Sequence, residues 1–270
     1  MIVDAHAHIC EAEYGNLDTL LDQYLGAKID KAVLVPGGML DVRKMTKYIS
    51  GEEKPVTTEV PNHLVANAIG KYPDKFYGFY CVNPHKGESV LDELKNAVMK
   101  GFVGLKLAPT VHQFSLTAPI VLKLAELCGE LDIPFYTHVV FSAAASTKKM
   151  EYLAKSFPKT KFIIGHMGFG PADVDAVQYA KENENLFLET SGGSYIIVKH
   201  ALEELGSTKV IFGSEFPMHH PLSAVDIIYS LKCNDGDLEN IFANNILRLI
   251  KRNEARTQPL LQTLNLEGSV

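Results

Sequence analysis

Eight short apolar runs rich in β-branched and aromatic residues punctuate the chain: "IVDAHAHI" (2–9), "KAVLVP" (31–36), "FYGFYCV" (76–82), "FVGLKLA" (102–108), "PFYTHVV" (134–140), "KFIIGHM" (161–167), "NLFLETS" (185–191) and "KVIFGSE" (209–215). Runs of this length and content read as strands. Between them lie stretches with apolar residues near i, i+3, i+4 and i+7, among them 17–27, 61–71, 89–100, 119–131, 148–157, 172–183, 195–205 and 238–251. These read as amphipathic helices. Strands too apolar to have a wetted face, each followed by a helix, pack as a parallel sheet covered on both sides. Eight such units select an α/β fold of the (β/α)8 TIM-barrel type. An open doubly wound sheet is the alternative if only six or seven of the runs are strands. No G-x-G-x-x-G follows the first strand, which removes the main reason to choose a dinucleotide-binding sheet.

The barrel is expected to occupy 1–251, with 252–270 as a C-terminal extension packed on or near it. Segment 37–60 is the longest connection without strong periodicity, and a connection of that length is expected to serve as a lid or binding loop. With 270 residues, 46% hydrophobic and 21% charged, the chain can build one large core. Its net charge is −6 and its Lys and Arg are scattered, so neither nucleic acid nor an anionic membrane is an expected partner. A small-molecule substrate is. The chain shows no export leader and no uninterrupted apolar run of 18 residues, which makes the cytoplasm the expected compartment. Cys10, Cys81, Cys128 and Cys233 lie far apart with no CxxC spacing. They read as reduced thiols, leaving His and carboxylate as the donors for any metal.

Polar residues fall in a telling place. In "DAHAH" the side chains of Asp4, His6 and His8 are expected to share one face of the first strand. Toward the C-terminal ends of later strands come Lys106, His138, His166, Glu189 and Glu215. Barrel enzymes place their chemistry at that end. Buried imidazoles and carboxylates each need a partner, and an unpaired buried charge costs several kcal/mol. One divalent cation supplies the partner. Nitrogen and oxygen donors with a position left open match a catalytic zinc site, and manganese, iron or cobalt fit the same ligands. Zinc lowers the pKa of bound water from about 15.7 to about 7 and so makes a nucleophile at neutral pH. Glu215 is expected to move the proton, and His166 to orient the water or stabilise a developing oxyanion.

With "DAHAH", "GLKLAP", "YTHV", "IIGHMG", "FGSEFP" and "IFANNILRLI" in order, the chain resembles the amidohydrolase superfamily, in its amidohydrolase-related branch that includes aminocarboxymuconate semialdehyde decarboxylase. The likeness runs from residue 1 to about 251. It implies His6, His8, His138 and Glu215 as ligands of one divalent metal, usually zinc, with His166 beside the bound water. It also implies that Lys106 contacts substrate or a carboxylate rather than bridging two metals, and that the protein is a homodimer. The family's eighth-strand acid is nearly always Asp. Glu215 departs from that pattern by one methylene, about 1.5 Å of bond. A longer ligand with the same role is expected, because a carboxylate is retained; a base that does not ligate is the alternative.

Other polar residues have humbler expected roles. Asp4 reads as a structural group, Glu189 as a partner for Lys106, Cys10 as a buried thiol and Tyr195 as packing. Arg43, His112, His219 and His220 fall on loops at the catalytic end, where Arg43, His112 and His219, with Lys106, are candidates to grip an anionic substrate. Two reactions fit the resemblance. The first expectation is hydrolysis of an amide, lactone or ester, because only residues 10–16 separate the first strand from its helix, whereas the branch's decarboxylases have a substantial insertion there. The second is non-oxidative decarboxylation of a small unsaturated or aromatic acid. A metal-binding barrel with little or no turnover is the third.

Overall fold

The computed structural model describes residues 1–54 and 59–250. The expected extension at 252–270 lies outside the described residues. Eight parallel strands follow one another around a single sheet in chain order: β1 (Val3–Ile9), β2 (Lys31–Pro36), β3 (Phe76–Cys81), β4 (Gly104–Leu107), β5 (Phe135–Thr137), β6 (Phe162–Ile164), β7 (Leu186–Glu189) and β8 (Val210–Ile211). The sheet nearly closes on itself. Ala5 N donates to Phe212 O at 3.0 Å, His8 N to Phe216 O at 2.8 Å, and Glu215 N to His6 O at 2.9 Å, joining the eighth unit to the first. This is the expected (β/α)8 barrel.

The major helices cover the outside: α1 (Leu17–Ala27), α2 (Asn62–Lys71), α3 (Ser89–Met99), α4 (Pro119–Leu131), α5 (Thr147–Ser156), α6 (Val174–Glu182), α7 (Tyr195–Leu205) and α8 (Pro221–Ser230). The last was not anticipated from the sequence. The first shows the local logic. The Asn16 side chain accepts from Thr19 N at 2.9 Å and caps its start, Leu20, Tyr24 and Ala27 form its buried stripe, and Lys28 ends it in the left-handed region at φ 57°. Fully burying a side chain such as Leu20 contributes about 1.5–3 kcal/mol. Among the described residues no helix is long and apolar enough to cross a membrane.

Two local features depart from simple periodicity. The final helix, expected to be continuous over 238–251, widens into a π-turn at Asn240–Asn244. There Ile241 O accepts from Phe212 N at 2.9 Å, and the buried Asn245 amide donates to Ser207 O and Val210 O at 2.7 and 2.8 Å. These bonds tie the helix to β8. Inside the barrel, a Cβ built on Gly104 would stand 2.4 Å from the Phe79 ring, so glycine is what lets that ring fill the interior.

Strands β5 to β8 are shorter than their apolar runs. Beyond β6 and β8 the backbone leaves the ladder: His166 has φ 61° and Glu215 φ 60°, a conformation rare outside glycine and costing about 1–2 kcal/mol. His138, His166 and Glu215 therefore sit just past the strand ends, whereas His6 and His8 lie within β1, Lys106 within β4 and Glu189 within β7. Segment 37–60, expected to serve as a lid or binding loop, contains a helical turn at Val42–Lys44 and a short helix at Met45–Ser50, with 55–58 outside the described residues.

Candidate active site

A register shift between Asp4 and Ala7 interrupts the pairing of β1 with β2. It corrects the expectation that Asp4 shares a face with the histidines. Asp4 turns toward α1, where it accepts from Tyr24 OH at 2.6 Å, from Ser214 N and Oγ at 2.9 and 2.5 Å, and from His6 N at 2.9 Å. Burial pushes its carboxyl up to about 6, although these four donors pull the other way. His6 and His8 face the mouth, with ring centroids 4.8 Å apart.

There the imidazoles meet nitrogen to nitrogen. His6 Nε2 lies 3.0 Å from His8 Nε2 and 3.4 Å from His138 Nε2. His8 Nδ1 is 3.1 Å from Pro36 O, and a carbonyl can only accept, so Nδ1 carries the proton and Nε2 presents its lone pair. His6 is set the same way round: its Nδ1 faces Glu215 Oε2 at 2.6 Å, Tyr136 OH at 2.8 Å and Ser191 Oγ at 3.1 Å. Burial holds His8 down at about 3 and His138 well below the usual imidazole range, so both stay neutral. His6 is different. Burial is the largest influence and pulls it down, but the Glu215 and Glu189 carboxylates together outweigh burial and Lys106, and its net shift is upward.

Glu215 is the acid of the cluster. Burial raises its pKa, the imidazoles of His6 and His166 outweigh burial, and the carboxyl ends well below its ordinary range. Its Oε1 lies 3.7 Å from His8 Nε2 and its Oε2 3.6 Å from His166 Nε2. Among the described residues, buried Oε2 makes no well-aligned hydrogen bond despite its closeness to His6. Donor atoms of His6, His8, His138 and Glu215 all fall within 4.8 Å of one another. The Nε2 atoms of His6, His8 and His138 converge, and an under-bonded oxygen of Glu215 stands alongside. In a tetrahedral zinc site with bonds of about 2.0–2.1 Å, ligand nitrogens are about 3.3 Å apart, so the donor set fits one divalent cation.

Lys106 enters this cluster rather than the substrate space. Its Nζ is 2.7 Å from His138 Nε2, 3.1 Å from His6 Nε2 and 4.0 Å above the Tyr136 ring. Burial lowers its pKa to about 7, toward the neutral amine. Glu189, expected to pair with it, instead accepts from Tyr136 OH and Ser191 Oγ, both at 2.8 Å. A second group, His6, His166 and Glu189, also has donors within 4.8 Å. His166 Nδ1 faces Ser191 O at 2.8 Å, which aims its Nε2 toward Glu215. A Cβ on Gly165 would stand 2.5 Å from Tyr136 OH and 2.8 Å from His138 Cδ2, so glycine makes room for both.

Above the cluster opens a cavity of about 910 Å3. Its walls come from the connections after every strand but β3, with His8, His138, His166 and Glu215 at the floor. His219 and Cys10 line it; Lys106, Arg43 and His112 do not. Their expected role in gripping substrate is corrected accordingly. Arg43 instead pairs with Asp41 at 2.8 Å and covers the Tyr14 ring at 4.9 Å, His112 is buried with its carbonyl accepting from His85 Nε2 at 2.6 Å, and Lys106 lies beneath the histidines. His220 caps α8 by accepting from Leu222 N at 3.2 Å, and Tyr195 is half exposed at the start of α7. Tyr136 and Ser191 were missed from the sequence. Both stand two residues from a site residue, Tyr136 before His138 and Ser191 after Glu189, and the two-residue repeat of a strand was the signal available.

A gamma-resorcylate decarboxylase from Polaromonas sp. (strain JS666) is 23% identical over 252 residues, covering 73% of this chain and 77% of that protein. A dihydroxybenzoic acid decarboxylase structure from Polaromonas sp. JS666, with bound manganese and the inhibitor 2-nitroresorcinol, superposes with TM-score 0.68 at 18% identity, covering 95% of this chain and 98% of that one. The 5-carboxyvanillate decarboxylase of Sphingomonas paucimobilis superposes with TM-score 0.69 at 15% identity over 93% and 98%. These likenesses overturn the expectation of hydrolysis. That expectation rested on the short link 10–16, but most of the cavity wall is built by later connections. The amidohydrolase family profile matches residues 3–252, nearly the whole chain, and the protein belongs to that family.

Proposed function

We propose that the protein is a metal-dependent decarboxylase of a small aromatic carboxylic acid. One observation carries the reading: three imidazole nitrogens and a carboxylate converge at the floor of a mostly apolar cavity. The decarboxylase relatives favour this chemistry over others that such a floor supports. His6, His8, His138 and Glu215 would hold one divalent cation. Bound there, the cation supplies positive charge that anchors the substrate carboxylate and steadies negative charge on the ring. The donor set accepts zinc and manganese alike.

The remaining steps belong to the chain. Glu215, anionic at rest because its neighbours hold its carboxyl well below the ordinary range, takes up a solvent proton by way of His166 and passes it to the ring carbon that bears the carboxylate. The carbon–carbon bond then breaks, its electron pair restores the ring, and carbon dioxide leaves. No oxygen from water enters the product. His166, with Nδ1 committed to Ser191 O and Nε2 3.6 Å from Glu215, returns the proton from solvent to that carboxylate. Tyr136 and Ser191 fix the rings they touch.

The test is carbon dioxide release from 2,6-dihydroxybenzoate and 2,4-dihydroxybenzoate by manganese- and zinc-loaded protein, run in deuterated water. Stoichiometric carbon dioxide with one deuterium at the vacated ring carbon is expected. Absence of carbon dioxide release across both acids and both metals contradicts the reading.

A further inference from the structure

Two of the site histidines are each followed three residues later by phenylalanine, in "HVVF" (138–141) and "HMGF" (166–169). Strands β5 and β6 run side by side, with Thr137 opposite Ile164. The pairing at the floor therefore recurs at the rim. The His138 and His166 rings lie 4.3 Å apart, and the Phe141 and Phe169 rings stack 5.7 Å apart at 29°. Both phenylalanines line the cavity, yet Phe141 is 90% exposed and Phe169 42%. Rings left in water forgo the gain of burial, and here the backbone holds them out. Val140 N donates to Ala145 O at 2.9 Å, while Phe169 N donates to Asp173 Oδ2 at 3.0 Å, which also accepts from Thr147 Oγ1 at 2.5 Å.

The rest of the wall narrows what fits. Among the described residues lining the cavity there is no Lys or Arg, and Glu215 is the one formally charged side chain. A second anionic group on the substrate would find no cation there. Three residues span at most about 10 Å of chain, so the floor and the rim can be reached by one small molecule.

We propose that Phe141 and Phe169 form an aromatic clamp that sets specificity, stacking on the ring of a monocarboxylic aryl acid whose carboxylate sits at the histidine cluster. This rests on the decarboxylase reading and narrows its substrate class. Aromatic pairs prefer offset or edge contacts that add to simple burial, enough to change affinity by about three- to tenfold.

The chain contains no tryptophan, so Phe141→Trp makes a single fluorescent reporter at the rim. In full-length, manganese-loaded protein, 2,6-dihydroxybenzoate should quench it saturably. By calorimetry, Phe141→Ala and Phe169→Ala should each weaken 2,6-dihydroxybenzoate by about three- to tenfold and cyclohexanecarboxylate by less than about twofold. Isophthalate, with its second carboxylate, should bind at least about tenfold more weakly than benzoate. Thermal melting checks that the variants fold. Saturable quenching with ring-selective loss supports the clamp; no saturable quenching, or equal effects on flat and saturated acids, overturns it. Carbon dioxide release measured alongside separates the two readings. Ring-selective binding without release leaves the clamp standing and removes the decarboxylase, whereas release with unaltered binding in the alanine variants does the reverse.

Discussion

Inside the barrel Val3, Ala5, Val33, Phe79, Ile163 and Ile211 pack in one apolar cluster, while toward the mouth, on β1, β4, β5 and β7 and just past β6 and β8, stand His6, Lys106, Tyr136, Glu189, His166 and Glu215. The lower layer is held by burial alone, joined from below by Ile246 and Leu249 of the final helix. The upper layer is held by hydrogen bonds and charge, and it is the part that lacks a self-sufficient solution: imidazole nitrogens face each other and a carboxylate oxygen is under-bonded. Stability and chemistry are thus stacked along one axis, as in barrel enzymes generally. Substitutions in one layer should leave the other's property intact.

The largest effect belongs to the upper layer. His138→Ala should leave well under one bound metal per chain by elemental analysis and lower turnover by about a thousandfold or more, with little change in melting temperature of the metal-free protein. Glu215→Gln should cost about a hundred- to ten-thousandfold in kcat; Glu215→Asp, which restores the family's usual acid, should recover most of it. If Glu215→Gln turned over normally, the acid would have no part in proton transfer.

Below the site the sign of the comparison reverses. Ile163→Ala, at a fully buried position, should lower unfolding free energy by about 2–5 kcal/mol in denaturant titration while metal stoichiometry stays near one. Asp4 supplies a pH test of the seam between the layers. Its folded pKa is raised to about 6 from 3.8, so between those values the unfolded state loses its proton first and stability falls as pH rises, by about 3 kcal/mol in all. Asp4→Asn should remove that slope from the difference between variant and parent. Smallest of all, Arg43→Ala should change KM by less than about twofold, since its side chain is 70% exposed and paired with Asp41.

Much of this was legible in the sequence, for reasons that differ by residue. The strand at 31–36 and the helices at 17–27, 119–131 and 195–205 have the bounds their periodicity implies. That His6, His8, His138, His166 and Glu215 cluster was readable because each lies toward the mouth end of an apolar run, while the choice of His6, His8, His138 and Glu215 as ligands came from the family resemblance. The face on which Asp4 lies was misread because a register shift does not alter residue spacing, and only the ladder reveals it. Arg43, His112 and Lys106 were misassigned to substrate because sequence position fixes which end of the barrel a residue occupies, not whether its side chain turns into the cavity. Helix α8 escaped because its opening Pro221 follows two histidines in what reads as loop. The chemistry itself was legible only as a choice between two reactions, since one metal floor serves both.

In the proposed mechanism four residues from three separate units of the barrel hold one cation. Anomalous diffraction at the manganese edge from crystals of metal-loaded protein tests it most directly. A single peak within bonding distance of the Nε2 atoms of His6, His8 and His138 and of one Glu215 oxygen is the predicted result. Density elsewhere, or none among those nitrogens at saturating manganese, would contradict it.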